Sequence, residues 1–232
     1  MRVVTGAAKG KRLKSPKTVG TRPIMDRVKT ALFDILSDEV DDARFLDLFA
    51  GTGGVGIEAL SRGAEYATFI EMNPKIVQLV RENLLITGLT AQGEVIQGDS
   101  FKFLQAHMPV STQNPPVATP KNTPKGSTAR GSVQRERAFY LPMSRNGQPR
   151  TYDIIYVAPP QYEEMAARAL RMLDAEAVNT ENGLLAKEGQ IIIQIHPKER
   201  PGVVAVECEH YALTDERRYG STLLLFYRRH ED

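Results

Sequence analysis

The stretch "FLDLFAGTGGVGIEAL", residues 45–60, decides the fold. An apolar run ends at Asp47, a turn carrying Gly51, Gly53, Gly54 and Gly56 follows, and a helical pattern starts at once. Glycines in such a turn let the backbone pass close to a ligand, and the helix N-terminus offers it unpaired N–H groups. Gly51, Gly53 and Gly56 satisfy G-x-G-x-x-G, and Glu71 falls twenty residues after Gly51 at the end of the next apolar run. That spacing belongs to dinucleotide-binding units, so NAD stays open as a ligand.

The carboxylates argue for S-adenosyl-L-methionine instead. Asp47, just before the turn, would oppose a pyrophosphate but suits the cationic methionyl end of that cofactor. Glu71 can accept from both ribose hydroxyls, and Asp99 and Ser100 in "GDS" stand where they can meet the adenine amine. Three acidic groups at three successive strand ends favour a positively charged cofactor without phosphates. Capping of neighbouring helices by the same carboxylates is the competing structural explanation.

Outward from this unit, short apolar runs alternate with helical segments: "RFLDLFA", "AEYATFIE", "GEVIQGD", "YDIIYVA" and "GQIIIQI" are separated by stretches such as "NPKIVQLVRENLLITG". Strands separated by helices imply right-handed crossovers and a mostly parallel sheet covered on both faces. The runs "VVAVECEHYA" and "STLLLFYRR" are joined only by "LTDERRYGS", so they are expected to form a terminal hairpin with one antiparallel strand. At the other end, "MRVVTGAAKGKRLK" reads as a basic β-hairpin, and "TRPIMDRVKTALFDIL" as a helix with Pro23 near its first turn. The expected organisation is an N-terminal extension over residues 1–38 and a domain over 39–106 and 151–232. A Pro-rich basic insertion, read as disordered, occupies 107–150.

Composition narrows the class. With 41% hydrophobic residues in 232, a sizeable core is available. The single cysteine, Cys208, excludes an internal disulfide, and the scattered histidines suggest no metal. No apolar run is long enough to span a membrane, so a cytoplasmic protein is expected. The net charge of +2 hides an asymmetry: residues 1–30 hold nine Lys or Arg against one acid, and residues 107–150 hold seven against one. Such basic blocks point to a polyanion, most simply nucleic acid.

The segments "MRVVTGAAKGKRLKSP", "TRPIMDRVKTALFDIL", "LDLFAGTGGVGIEALSRGA", "FIEMNPK" and "RRYGSTLLLFYRR" resemble the RsmD-type 16S rRNA (guanine(966)-N(2))-methyltransferase family. The resemblance spans nearly the whole chain except residues 107–150. It implies an α/β Rossmann-like S-adenosylmethionine-dependent methyltransferase fold: a seven-stranded, mostly parallel sheet with one antiparallel strand, plus the N-terminal basic hairpin. It implies methyl transfer to the exocyclic N2 amine of a guanine in 16S rRNA, free or in the assembling small ribosomal subunit; a monomer is expected. The cofactor-binding set is then Asp47, Phe49, Gly51, Gly53, Glu71, Met72, Asp99 and Ser100. The RNA-binding set is Lys9, Lys11, Arg12, Lys14, Arg22 and Arg27.

The family's fourth-strand motif is Asp or Asn, then Pro-Pro, then Phe or Tyr. Here it reads Ala158, Pro159, Pro160, Gln161, with Tyr162 one step later. The guanine N2 lone pair is delocalised into the ring, so acceptors at its two N–H bonds must orient it and relieve the charge that grows as the methyl arrives. Pro159 and Pro160 have no N–H, which leaves backbone carbonyls of the loop free to accept. Ala158 supplies no polar atom, and losing one acceptor costs roughly 1–3 kcal/mol, about ten- to a hundredfold in rate. Gln161 or a backbone carbonyl near Pro159 is the expected replacement, and Tyr162 a stacking ring. Other readings are transfer to another RNA, to DNA or to a protein amide, and an rRNA-binding assembly factor without turnover.

Overall fold

The computed structural model describes residues 1–16, 25–108, 151–161, 164–177 and 183–230. The insertion read at 107–150 falls almost wholly outside them, as do Arg22, Pro23 and Tyr162. Seven strands form one sheet: β1 (Arg44–Asp47), β2 (Tyr66–Glu71), β3 (Gly93–Gln97), β4 (Tyr152–Val157), β5 (Leu185–Ile195), β6 (Tyr211–Tyr219) and β7 (Thr222–Arg229). Their order is β3-β2-β1-β4-β5-β7-β6. The first five are parallel, and β7 runs antiparallel between β5 and β6. Strand order reverses between β1 and β4, which opens a crevice at their carboxyl ends.

Helices α1 (Asp26–Leu36), α2 (Gly56–Ser61) and α3 (Pro74–Thr87) share one core with Phe45, Phe69, Ile154 and Ile192. Helices α4 (Ser100–His107), α5 (Met165–Glu176) and α6 (Arg200–Val204) contribute to a second core with Leu46, Ile70, Ile155 and Ile193. Alternation along the buried strands thus feeds two layers, as a doubly covered sheet requires. Helix α2 packs close to the sheet because Gly56 has no Cβ: an added one would stand 2.4 Å from the Phe69 ring. Helix α3 starts where "NPK" says it should. Asn73 accepts from the Lys75 N–H at 2.9 Å, Pro74 opens the first turn, and Gly88 ends the helix at φ 79°.

Three expectations change. The sixth strand is not "VVAVECEHYA" but "YALTDERRY"; α6 takes the beginning of the former, and the hairpin turn shrinks to Gly220 and Ser221. An edge strand with one wet face and a bulge between Leu213 and Asp215 carries too many charges to look like a strand. The N-terminal hairpin keeps one isolated bridge, Arg2 to Arg12, with the chain reversal held by Val3, Gly10 and Leu13 N–H bonds. And Lys29, one of the nine basic residues counted over residues 1–30, is buried.

That lysine belongs to a fully buried ion pair with Glu58, 3.0 Å long. Glu58 also accepts from the Val4 and Thr5 N–H groups at 2.8 and 2.9 Å and from Arg62 Nε at 3.2 Å, while Lys29 Nζ donates to Arg2 O at 2.6 Å. A second buried polar residue, Asn83, accepts from the Lys14 N–H at 2.8 Å and donates to Lys14 O at 3.1 Å and Thr52 O at 3.0 Å. The N-terminal segment is fastened to the main body by satisfied polar groups, with Val3, Ala8 and Leu13 in the shared core. Removing one partner of such a pair strands the other in the interior. Glu58→Ala is expected to cost about 3–5 kcal/mol, read as a lower urea midpoint at unchanged slope.

Candidate active site

At the carboxyl ends of β1, β2, β4 and β5 lies a cleft of about 540 Å³. Its floor on one side is Phe49, Gly51, Glu71 and Met72; on the other, Ala158, Pro159, Pro160 and Gln161. Asp99 and Ser100 close the end nearest α4. Ten of the residues singled out above therefore meet in one cavity. Gly51 sits at φ 51° with nothing within 4 Å of an added Cβ, so the backbone there is open to a ligand from above.

Gly53 and Asp47 are not on the wall. Gly53 is directed at Val80, Ile57 and Phe69. Asp47, expected to face the cofactor, is buried behind the turn, and its Oδ2 accepts from the Gly56 N–H at 3.2 Å. Helix α2 draws that carboxylate to its own first N–H, which is how a buried acceptor is satisfied. Burial is also the main reason its pKa rises to about 7; the Gly56 N–H works against the rise and the Glu71 charge adds to it.

Glu71 stays on the wall while holding the loop. Oε2 accepts from the Gly51 N–H at 3.1 Å and Oε1 from the Asn73 N–H at 2.7 Å. Each carboxylate oxygen retains acceptor capacity toward the cleft. Asp99 caps α4 through Oδ1, which accepts from Phe101 and Lys102 N–H groups at 2.8 and 2.9 Å, and Oδ2 has no partner among the described residues. Ser100 Oγ donates to Leu48 O and so ties α4 to the glycine turn. All three carboxylates do cap or brace backbone, yet two of them still face the cavity.

Four wall residues were not anticipated: Ile70, Phe101, Met165 and Gln194. Phe101 packs edge-on against Phe49 with centroids 5.7 Å apart, and the Arg168 guanidinium lies 3.9 Å over its ring. An aromatic directly after "GDS" is a readable signal for an apolar wall; Gln194, inside "IIIQI", reads only as an interruption of a buried strand. His196 caps the turn after β5, accepting from the Lys198 N–H. Arg217 and Arg218 lie in β6, engaged with Asp215 and Gly220 O.

The proposed RNA-facing set divides as well. Lys9, Arg12 and Arg27 are exposed with no ion pair among the described residues, whereas Lys11 Nζ donates to Thr87 O at 3.1 Å and Lys14 pairs with Glu82 at 2.8 Å. Among the described residues no group of three or more His, Cys, Asp or Glu could hold a metal ion. No helix among them is long and apolar enough to cross a membrane.

Sheet order, glycine turn and cleft define a Rossmann-like methyltransferase fold. Residues 1–116 match the family model described as "Conserved hypothetical protein 95". The chain is 30% identical to YlbH of Bacillus subtilis, an rRNA methyltransferase by designation, over 92% of its own length and 95% of the relative's. It is 39% identical to ribosomal RNA small subunit methyltransferase D of Escherichia coli, over 45% of this chain and 52% of that one. The solved structure of Escherichia coli yhhF, also a methyltransferase by designation, superposes with a TM-score of 0.69 at 26% identity, covering 99% and 97% of the two chains. The chain belongs to this family of RsmD-type methyltransferases.

Asp47 makes the stability of the fold pH-sensitive. Its folded pKa of about 7 exceeds the unfolded value near 3.8, so the native state holds the extra proton between those values and loses stability as pH rises through the window. Asp47→Asn, which keeps an acceptor for Gly56, is expected to gain stability over the wild type by up to about 1.4 kcal/mol per pH unit between about pH 4 and 7. Urea unfolding of both proteins at pH 5 and 7 measures the difference.

Proposed function

We propose that this chain transfers a methyl group from S-adenosyl-L-methionine to the exocyclic N2 amine of a guanine in small-subunit (16S) rRNA. One observation carries the reading: the cleft joins a carboxylate-braced glycine turn to a Pro-Pro loop at the sheet's switch point. The residues fit the cofactor. Gly51 leaves open space, Glu71 has acceptor capacity for the ribose hydroxyls, and Asp99 Oδ2 is available to the adenine amine. Phe49, Phe101 and Met72 offer apolar surface beside it. When bound, the cofactor would supply an electrophilic methyl on a sulfonium, its S–CH3 bond breaking as the methyl leaves and the sulfur remaining as a neutral thioether.

The chain's own part is to hold the amine. Pro159 and Pro160 cannot donate, so carbonyls of residues 158–160 remain acceptors for an N2–H bond. Accepting that bond turns the nitrogen toward the methyl and draws off positive charge as the new C–N bond forms; the proton then leaves to water. A base in the stack cannot reach the cleft, so the guanine must be extruded. The exposed Lys9, Arg12 and Arg27 lie on the N-terminal elements that share a core face with Ala158, where they can meet phosphates. On this reading the protein works in the cytoplasm as a monomer, on 16S rRNA or the assembling small subunit.

Ala158 specifically favours a second reading, an rRNA-binding assembly factor without turnover. Labelled-methyl transfer to small-subunit rRNA from a strain lacking this modification, followed by mapping, separates the two. Label at N2 of one guanine is expected. Cofactor binding without transfer to any RNA supports the assembly factor, and NAD binding in place of S-adenosylmethionine overturns both. In the same assay format, Lys9→Gln with Arg12→Gln should reduce the salt slope of RNA binding by about 0.7–0.9 for each phosphate contact removed. Cofactor affinity, measured by calorimetry, should stay at the wild-type value.

A further inference from the structure

Strands β4 and β5 pair in register, Tyr156 beside Ile192 and Val157 beside Ile193, so the next level sets Ala158 beside Gln194. The faces agree. Ile154, Tyr156 and Ile192 belong to one core with Ala158 against it, whereas Ile155, Val157, Ile193 and Ile195 belong to the other. By alternation Gln194 shares the face of Ala158, and both line the cleft. The Tyr156 hydroxyl, rising from two residues below on the same face, donates to Gln194 Oε1 at 2.7 Å.

We propose that Gln194 Oε1 is the acceptor this chain sets against the substrate amine, in place of a polar side chain at residue 158. The assignment rests on the guanine-amine reading above. An amide oxygen has two lone pairs; Tyr156 occupies one, and the second is available to an N–H in the cleft. Tyr156 is a dependable donor. Its phenol is buried and held protonated far above the ordinary range, chiefly by burial and then by the charge of Asp47. The amide is thereby fixed before substrate arrives, as electrostatic preorganisation requires. Gln161 is the competing candidate, but it is exposed and no bond among the described residues holds its side chain, so recruiting it would cost side-chain entropy. A backbone carbonyl of the Pro-Pro loop and Gln194 Oε1 would together accept both N–H bonds, one from the loop and one from the neighbouring strand.

Single-turnover methyl transfer by the full chain to unmodified small-subunit rRNA tests this. Gln194→Ala is expected to lower the rate constant about ten- to a hundredfold, with cofactor affinity unchanged by calorimetry. Adding Ala158→Asn to that variant should restore rate, which a merely structural role for Gln194 would not allow. Should the alanine variant fail to fold, Gln194→Met keeps the side-chain length without the acceptor and should show the same loss. Wild-type rates in the folded variants, a loss carried by Gln161→Ala instead, or no rescue by Ala158→Asn would each overturn the assignment while leaving the guanine reading standing. No transfer by the wild-type protein overturns both.

Discussion

The buried carboxylate of Glu58 is the constraint on which the arrangement of this molecule turns. It stands in the first turn of α2, directly behind the glycine turn, and gathers two backbone N–H groups of the N-terminal segment, the Lys29 ammonium and the Arg62 guanidinium. An ionised group in the interior is tolerated only when every lone pair is met, so these partners are not interchangeable with water. One side chain thereby sets where the basic N-terminal segment, α1 and the cofactor-side helix lie relative to one another. Asn83 repeats the arrangement one helix away, joining Lys14 to Thr52 of the same turn. An extension that could have been a flexible basic tail is instead fastened to the two helices that follow β1 and β2.

Within the cleft, polar groups serve scaffold and ligand in different proportions. Asp47 serves the scaffold through Oδ2, and its place behind Gly56 leaves it buried and prone to protonation. Glu71 and Asp99 divide their oxygens between backbone N–H groups and open space. A carboxylate whose orientation is already set by the backbone can meet hydroxyls or an amine without further ordering.

Features written in local chemistry were legible in the sequence. The glycine turn, the Asn73-Pro74 start of α3 and the alternation of apolar runs each depend on neighbours within a few residues. What depends on distant partners was not. Lys29 entered only as one more basic residue of the N-terminal block because its acceptor, Glu58, lies on another element. The sixth strand was hidden by its wet edge and its bulge, which replace alternation with a run of charges. Asp47 was correctly placed at a strand end, but which side of the turn it would serve depended on the close seating of α2 against Phe69. Gln194 was invisible for a related reason: a lone amide in a buried run gains meaning only once the register beside Ala158 is known.

The register between β1 and β4 has a mechanical consequence. Asp47 is paired with Tyr156, and the Leu48 N–H donates to Tyr156 O at 2.9 Å. From that single rung, one arm runs through Asp47 to the glycine turn and the other through the Tyr156 hydroxyl to Gln194. Adjacent strands are held roughly 4.8 Å apart by their hydrogen bonds and yield little along that direction. The spacing between the glycine turn and Gln194 is therefore gauged like the opening between two jaws bolted to one rigid frame. That spacing draws on the lateral stiffness of the sheet as well as on the loops that complete the cleft.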